Sequence, residues 1–548
     1  MKIIVAAVSV LALSAFASSA SAAGWSSSVA FTNEVASRPV KGGGYPVPPG
    51  ETAPVPGTCR LGDYNSNRSE SWIAVQPGSE DLVGVSKFFF ETFSTFYDFH
   101  LGSYSLPGGS PGPNAFVTGY DCVSTGTQAM PPSWTNNTDP NVDFDSRGRA
   151  YQVTLPFNAF WANLHPNGAI GVVYSDDLGR SWTVGNGGKY LDFLPNSSTF
   201  AFGDVVDKQW VAVNHVALSP YRDHVYAFWS TFNGNTVKIR FAKSVDRAAS
   251  FSPAKTISAP RDTGPCPTYV YPSIDAAGTL YVAVAAFPCA SGSSSATIYV
   301  TRSTDDGNTF SPWFSTGAVA HGTPGCCLPN TTFRDGILEH FVASPTYPGH
   351  LYVAYEDFDG TQFDTKLVQS TDAGMTWSDP VAVNDASTVG DGTDQFQPEV
   401  AVGSGGAVAV AFYDRRQACP AGDSSIRPQD VGRTNFCIDV TVQAYRDAGA
   451  GAARIGSNVR MSTFTWDPEQ PDQTIGGVDQ MACAAHTDPC TTRSFIGDYF
   501  GLTMSNTTVY GLWVSTHYPS GVIADGGGPV YYQQQILSKV TRAGLGIG

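Results

Sequence analysis

The chain has 548 residues, a formal net charge of −16 and only 14% charged residues. This negative charge disfavours nucleic acids and anionic membrane surfaces as partners. At ~100–200 residues per domain the length would suggest several domains, but a single repeat architecture absorbs the same length. The 57 glycines and 12% aromatic residues are typical of many short strands joined by tight turns.

The N-terminus has the pattern of a secretory signal peptide. Met1-Lys2 precede an apolar run from Ile3 to Phe16, and Ala20-Ser21-Ala22 suits cleavage after Ala22. The run is too short to cross a bilayer, and no later stretch is long enough. We therefore predict a secreted protein, extracellular or periplasmic, that is monomeric and has no membrane span. Residues 1–22 are assigned to the signal peptide, 23–58 to an N-terminal strand and a Gly/Pro-rich linker, and 59–548 to one domain.

The cysteines favour an oxidising compartment, because there are ten of them, an even number. Their spacing suggests three local disulfides, although spacing alone leaves the connectivity open. These pairs are Cys266–Cys289, Cys419–Cys437 and Cys483–Cys490. Neither a C-x-x-C pair nor an H-E-x-x-H pattern occurs, so the sequence does not predict a zinc site.

An eight-residue turn motif recurs along the middle of the chain. Three good copies occupy 175–182, 303–310 and 370–377, and a worn copy at 244–251 has Ala248 in place of glycine. The aspartate of each copy can accept hydrogen bonds from its own turn amides, the glycine supplies a positive φ, and the last aromatic ring can be buried. The residues concerned are Asp177, Gly179, Trp182, Asp246, Asp305, Gly307, Phe310, Asp372, Gly374 and Trp377.

The motif S-x-D-x-G-x-x-(W/F) resembles the Asp-box of bacterial neuraminidase repeat proteins, in the sialidase superfamily of β-propellers. In that family the box is structural and lies on the turn between the third and fourth strands of a blade. The resemblance therefore implies an all-β propeller of four-stranded blades and says little about chemistry.

A unit of roughly 60–75 residues repeats from about Trp72 onward, and its strands fit the blade template. Seven units are favoured, with six, the number in sialidase enzymes, as the alternative. We predict that residues 29–32 complete the ring and remove its open sheet edges. The predicted innermost strands lie near 72–75, 142–144, 210–213, 272–274, 340–343, 399–402 and 495–502.

The template also sorts the loops between the two faces of the ring. Strands alternate in direction, so the second-to-third loops and the blade-to-blade links lie on the face opposite the boxes. The long loops, such as 157–168, 316–336 and 414–436, fall there. Because rigid scaffolds usually carry function on such loops, we predict a carbohydrate site over the channel mouth on that face. Trp161 in one of these loops is a candidate for stacking on a sugar, and packing of the loop is the alternative.

Three arginines are candidates for binding the carboxylate of an acidic sugar, because a guanidinium fork matches two oxygens. Arg415 follows the end of a second strand, where a structural pair with an aspartate is the alternative. Arg334, in Phe333-Arg334-Asp335-Gly336, is similar to the F-R-I-P motif of sialidases, which that family places earlier, before its first Asp-box. Arg493 precedes the last inner strand.

The resemblance implies a catalytic set as well. Retaining sialidases use a tyrosine nucleophile activated by a glutamate, together with an aspartic acid/base. We predict Tyr499 at the nucleophile-like position, with Glu399 or Glu356 as its base and Asp414 as the acid/base. Asp498 places a further acid at the channel entrance. The alternative for Tyr499 is an inner-strand aromatic residue packed beside the axis.

Glu70 and Asp207-Lys208 enter inner strands in the same way as Asp498. A ring of such acids could hold calcium through oxygen ligands, or could be solvated in the channel. No other cofactor is predicted. The favoured function is a sialidase-like glycosidase, and the alternatives are a non-catalytic propeller that binds glycans or proteins and a polysaccharide lyase on the same scaffold.

Overall fold

The structure is a computed structural model. It describes residues 24–25, 29–37, 67–89, 99–117, 136–157, 168–194, 204–233, 236–258, 264, 266–288, 295–323, 327–335, 339–470, 473–481 and 495–548. The predicted signal peptide, the Gly/Pro-rich linker, Trp161 and Arg493 lie outside these residues.

The strands form seven blades around one axis. β1 (Thr32–Val35) comes first, and the strands of the first four blades then follow in chain order. Blade 1 contains β2 (Arg68–Val75), β3 (Leu82–Phe89), β4 (Phe99–Leu106) and β5 (Asn114–Phe116). Blade 2, with its flanking strands, contains β6 (Asn136–Thr138), β7 (Asp143–Phe144), β8 (Ala150–Phe157), β9 (Gly168–Ser175), β10 (Thr183–Val184) and β11 (Asp192–Leu194). Blade 3 contains β12 (Asp204–Val213), β13 (Val225–Asn233), β14 (Thr236–Ser244) and β15 (Lys255–Thr256). Blade 4 contains β16 (Cys266–Ile274), β17 (Leu280–Phe287), β18 (Ser295–Ser303) and β19 (Phe314–His321).

The remaining blades continue the pattern. Blade 5 contains β20 (Glu339–Ala343), β21 (Leu351–Phe358), β22 (Phe363–Ser370) and β23 (Val381–Ala382). Blade 6 contains β24 (Gln395–Gly403), β25 (Ala407–Asp414), β26 (Asp439–Asp447) and β27 (Ala452–Arg460), and a small ribbon of β28 (Thr474–Ile475) and β29 (Val478–Asp479) follows. Blade 7 contains β30 (Gly501–Met504), β31 (Thr508–Ser515), β32 (Gln534–Thr541) and β1.

The predicted all-β propeller is confirmed with seven blades, so the six-bladed alternative is wrong. The blades are antiparallel, and β6 joins blades 1 and 2 by pairing in parallel with β4 and antiparallel with β8. The described residues contain no α-helix, and their only helical turns are three 3-10 segments at Pro107–Gly109, Asn186–Gly188 and Ser404–Gly406. Within the same residues, no helix has the length and apolar character needed to cross a membrane.

Six predicted innermost strands coincide with observed ones, and the seventh begins later than expected. The strand predicted at 495–502 starts only at Gly501, after an irregular segment. Gly497 in that segment has φ 107°, a value outside the range of a regular strand. The irregular backbone therefore belongs to the channel entrance rather than to blade 7.

An N-terminal strand closes the ring. It is β1, which lies at Thr32–Val35 rather than at the predicted 29–32, and it pairs with β32 as the outermost strand of blade 7. Asn33 connects blade 7 to the loop that follows β27 of blade 6. Thr463 N donates to Asn33 Oδ1 at 2.6 Å, and Asn33 Nδ2 donates to Met461 O at 3.1 Å. The first and last strands of the ring are thus held in one sheet.

The four copies of the eight-residue motif adopt one turn geometry, between the third and fourth strands of blades 2 to 5. In the copy that begins at Ser370, the serine Oγ accepts from the Gly374 amide at 3.0 Å and Asp372 accepts from the Thr376 amide at 2.8 Å. The worn copy keeps these bonds through Ser244 and Asp246, and its Ala248 has φ 67°. The turn therefore tolerates a non-glycine residue in a left-handed conformation.

One predicted disulfide lies within the described residues. Cys419 and Cys437 are bonded, with their Cα atoms 5.3 Å apart, so the loop after β25 is closed on itself. The other two predicted pairs include Cys289, Cys483 and Cys490, which lie outside the described residues.

Candidate functional site

Aromatic side chains from the inner strands meet on the propeller axis. We call this group the aromatic plug; it consists of Trp72, Trp210, Tyr271, His340 and Tyr499. The ring centres of Trp72 and Trp210 are 4.6 Å apart, and those of Trp72 and His340 are 5.0 Å apart. Because these residues come from the inner regions of blades 1, 3, 4, 5 and 7, the plug lies across the centre of the ring.

The two sides of the plug differ in chemistry. Residues that follow the plug along the inner strands, such as Ala74, Ala212 and Ala401, line a cavity of about 360 Å³ on the face of the box turns. Residues that precede the plug, such as Glu70 and Lys208, lie at the opposite end, where the blade-to-blade links enter. That end, which we call the mouth, carries the charged groups.

A β-bulge repeats at the mouth in four inner strands. In each of blades 1, 3, 4 and 6, two inner-strand residues face one residue of the second strand. The first of the two has a positive φ although none is glycine: Glu70 (50°), Lys208 (51°), Tyr269 (52°) and Gln397 (47°). Such a conformation costs about 1 kcal/mol or more for an L-residue, and strain of this kind tends to occur at functional sites.

The bulge in blade 3 assembles a pair of carboxylates. The Lys208 amide, turned out of the strand ladder, donates to Asp207 Oδ1 at 2.9 Å and to Asp139 Oδ2 at 3.2 Å. Asp139 itself has φ 54° and is buried. Burial, together with the charge of Asp139, raises the pKa of Asp207 to about 7. At neutral pH the carboxyl of Asp207 is therefore partly protonated.

A second cluster surrounds Asp498 in the same mouth. Its Oδ2 lies 2.7 Å from Lys208 Nζ and 3.0 Å from Arg334 Nη2. Burial opposes ionisation, but Arg334 and Lys208 hold the pKa of Asp498 well below its usual range. The Asp498 side chain is 6% exposed and that of Arg334 is 35% exposed, so the guanidinium forms the solvent side of this ion triad.

A third ion pair lies beside the triad. Glu70 Oε2 is 3.0 Å from Lys87 Nζ, and both side chains are buried. Lys87 Nζ and Arg334 Cζ lie 4.7 Å and 4.6 Å from the centre of the Phe495 ring. Phe495 is therefore a common platform for two cations of the mouth.

Tyr499, the predicted nucleophile, is part of the aromatic plug. Its hydroxyl donates to Pro140 O at 2.9 Å, and its side chain is buried. Burial, with the surrounding acids, raises the pKa of Tyr499 far above its usual value. This position matches the packing alternative considered for Tyr499.

The two predicted bases have other partners. Glu399 Oε2 lies 2.9 Å from His340 Nδ1, and burial raises the pKa of Glu399. Glu356 Oε2 accepts from the Gln397 amide at 2.7 Å. Glu356 and Asp139 therefore have the same role in blades 6 and 3. Each is a carboxylate from the preceding blade that accepts a hydrogen bond from the bulge amide, which is no longer bonded in the strand ladder.

Arg415 and Asp414 lie in the core rather than at the mouth. Arg415 is fully buried, and its Nη1 donates to Asp394 Oδ2 at 2.8 Å and to Pro329 O at 2.7 Å. Asp414 Oδ2 accepts from Arg416 Nε at 2.7 Å. Of the three predicted arginines the structure brings Arg334 to the mouth, buries Arg415, and does not describe Arg493.

No group of three or more His, Cys, Asp or Glu side chains suited to a metal ion occurs among the described residues. At the mouth, Lys87, Lys208 and Arg334 accompany the acids that were considered for calcium.

Asp139 and Tyr269 were not predicted from the sequence. Asp139 precedes the short strand β7 and is followed by Pro140, with no motif of its own. The sequence does contain one signal for the bulge, which is its distance from the plug. The bulge residue stands two positions before a plug aromatic residue in three blades, at Glu70, Lys208 and Tyr269. Aligning the inner strands on that aromatic residue would have revealed the bulge positions.

No family model matches the chain, and no curated protein matches its sequence. The solved structures that it resembles are mostly sialidases and related propeller enzymes that act on glycans.

Three of these solved structures have a TM-score of 0.39. A protein of unknown function from Dyadobacter fermentans is 9% identical, with 86% of this chain and 94% of that chain covered. The NanB sialidase of Streptococcus pneumoniae is 11% identical, with 86% and 68% covered. An ulvan lyase of polysaccharide lyase family PL25 is 10% identical, with 72% and 82% covered. The fold assignment rests on the sheet topology, independently of these likenesses.

Proposed function

We propose that this chain is a secreted glycoside hydrolase that binds a glycan at the mouth and uses the Asp139–Asp207 pair as its acid/base. The observation that carries the proposal is the Lys208 amide, which donates to both carboxylates and holds them together. The carboxyl of Asp207, whose pKa is about 7, keeps its proton in part at neutral pH beside Asp139. An acid of that strength can protonate a glycosidic oxygen at neutral pH.

The surroundings of the pair support a sugar ligand. Tyr269 is half-buried beside Lys208, with Nζ 4.9 Å from its ring centre. Arg334 adds a partly exposed guanidinium on the other side of Lys208. Aromatic rings beside a few convergent polar groups are typical of the lining of small-molecule sites.

The test is a screen of the purified protein on fluorogenic glycosides, both neutral and acidic, across pH 4–9. We expect Asp207→Asn to lower kcat by about 10²–10⁴-fold, because the acidic proton of Asp207 is lost. Activity of the wild type should fall as pH rises through about 7, where Asp207 ionises. The matched control is Asp379→Asn at an exposed aspartate beyond the box turn of blade 5. Full activity in Asp207→Asn would contradict the assignment of the acid.

The narrower hypothesis is an exo-α-sialidase with Tyr499 as nucleophile. It has less support, because the Tyr499 hydroxyl is donated to a backbone carbonyl and the two predicted bases bind His340 and the Gln397 amide. Turnover of a sialoside by the wild type and its loss in Tyr499→Phe would favour this hypothesis in the same screen.

The second candidate is a propeller that binds glycans without cleaving them. The observation in its favour is the ion pairing of the mouth, in which Glu70 and Asp498 are each held by a cation. Binding of a glycan with no product at any pH, unchanged in Asp207→Asn, would select this candidate.

A further inference from the structure

Asp498 presents a carboxylate to two cations of the mouth. Lys208 Nζ is 2.7 Å from its Oδ2, and Arg334 Nη2 is 3.2 Å from Oδ1 and 3.0 Å from Oδ2. Both oxygens thus receive charge-assisted hydrogen bonds, which is the arrangement that a bound carboxylate ligand would adopt.

The residues on either side of Asp498 make close contacts with other blades. Gly497 precedes it with φ 107°, and a Cβ on Gly497 would lie 2.4 Å from the Glu70 amide nitrogen. Tyr499 follows it and is anchored in the plug by its bond to Pro140 O. The backbone before Asp498 therefore packs closely against blade 1, and the residue after it is held in the plug.

Within the described part of the mouth, Lys87, Lys208 and Arg334 are each paired with an acid of the same chain. Lys87 is paired with Glu70, and the two cations around Asp498 share that carboxylate. Asp139 and Asp207 add further negative charge next to them. A ligand carboxylate would have to displace Asp498 or approach these acids, and like charges a few ångströms apart repel.

We propose that Asp498 is a specificity-determining residue: it occupies from within the position of a ligand carboxylate, so that the mouth accepts uncharged glycans and rejects uronic and sialic acids. This inference rests on the proposed function for the location of the glycan. It differs from the prediction made from the sequence, in which Arg334 binds an acidic sugar.

The experiment removes the internal carboxylate and offers one from solution. Asp498→Ala should leave Lys208 and Arg334 around a vacancy of the size of a carboxylate. We expect acetate and methyl glucuronide to raise the melting temperature of this variant and to bind it at least about tenfold more tightly than the wild type, which should be unaffected by either. Methyl glucoside, which has no carboxylate, should change the melting temperature of Asp498→Ala and of the wild type by the same amount.

Two further variants keep the test sharp. Asp498→Asn removes the charge but fills the space, so its affinity for glucuronide should lie between those of the wild type and Asp498→Ala. Asp379→Ala makes the same change in charge at an exposed position and should gain no carboxylate affinity. Chloride at matched ionic strength separates a specific site from screening.

The inference would be overturned if the wild type bound glucuronide as tightly as Asp498→Ala does. It would also be overturned if neither Asp498 variant bound acetate or glucuronide more tightly than the wild type. The acetate measurement needs no glycan turnover. Failure of the glycoside screen alone would therefore count against the proposed function and not against the role of Asp498.

Discussion

Lys208 shows how one strained residue assembles a site. Its φ of 51° places it in a region that costs about 1 kcal/mol or more for a side chain with a Cβ. In that conformation its amide binds two carboxylates and its ammonium group binds Asp498. Charge-assisted hydrogen bonds of this kind contribute about 1.5–3 kcal/mol each, so the local strain is offset by the contacts that it makes possible.

The Asp139–Asp207 pair predicts an unusual dependence of stability on pH. The pKa of Asp207 is about 7 in the folded chain and about 4 when unfolded, so the folded state binds the extra proton between these values. Stability should therefore fall as pH rises from about 4 to about 7 and then level off. Asp207→Asn removes this loss, which at 1.36 kcal/mol per pKa unit is up to about 4 kcal/mol, so the variant should be more stable than the wild type at pH 8 but not at pH 4.

Urea unfolding of both proteins at pH 4 and pH 8 measures this difference. Asp379→Asn, at an exposed position, should follow the wild type at both pH values. If Asp207→Asn changed the free energy of unfolding by the same amount at both pH values, the pKa of Asp207 would be the same in the folded and unfolded chains.

At the scale of the element, the repeated turn carries most of what the sequence predicted. The serine and aspartate side chains of the copy that begins at Ser370 bond within their own turn, so the octet can be recognised without a distant partner. The bulge of the inner strands is equally regular, but it uses Glu70, Lys208, Tyr269 and Gln397. A left-handed residue that is not glycine has no distinctive signature in a single sequence.

The glycines of the turns should differ in their tolerance of a methyl group. A Cβ on Gly307 would lie 2.4 Å from Phe241 Cζ, whereas one on Gly374 would lie 3.3 Å from Leu351 Cδ1. Phe241 is buried against Phe310, with ring centres 5.5 Å apart, so it cannot give way cheaply. We expect Gly374→Ala to cost about 1 kcal/mol from the backbone alone and Gly307→Ala about 3 kcal/mol.

Chemical unfolding of the two variants, compared with the wild type, checks this order. Ala248 is the natural reference, because it occupies the same position of the turn in blade 3 with φ 67°. A greater loss of stability in Gly374→Ala than in Gly307→Ala would contradict the steric argument.

At the scale of the whole molecule, the repeat predicted the fold, but it could not assign the site. Blade number and inner strands follow from local patterns that recur along the chain. The partners of a candidate side chain come instead from other blades: Arg415 is bound by Pro329 O, and Tyr499 donates to Pro140 O. Such contacts across the ring depend on how the blades are arranged around the axis. The sequence placed Glu70, Asp207 and Asp498 at the channel entrance, but their pairing with Lys87, Lys208 and Arg334 emerges only from the closed ring.

Closure of the ring predicts that the N-terminal strand stabilises every blade together. Without β1, β32 would expose an unpaired edge, and the Thr463 amide would lose the Asn33 oxygen that it now bonds at 2.6 Å. Trp25 extends the contact to blade 6 through a bond from its Nε1 to Thr441 Oγ1 at 2.8 Å. Deletion of 25–37 should therefore lower the melting temperature of the whole ring in one transition.

Asn33→Ala alone should cost about 1–3 kcal/mol, and Thr32→Ala, at an exposed neighbour, should cost much less. Thermal unfolding followed by near-ultraviolet circular dichroism measures all three, and an unchanged melting temperature in the deletion variant would show that blade 7 closes the ring without β1.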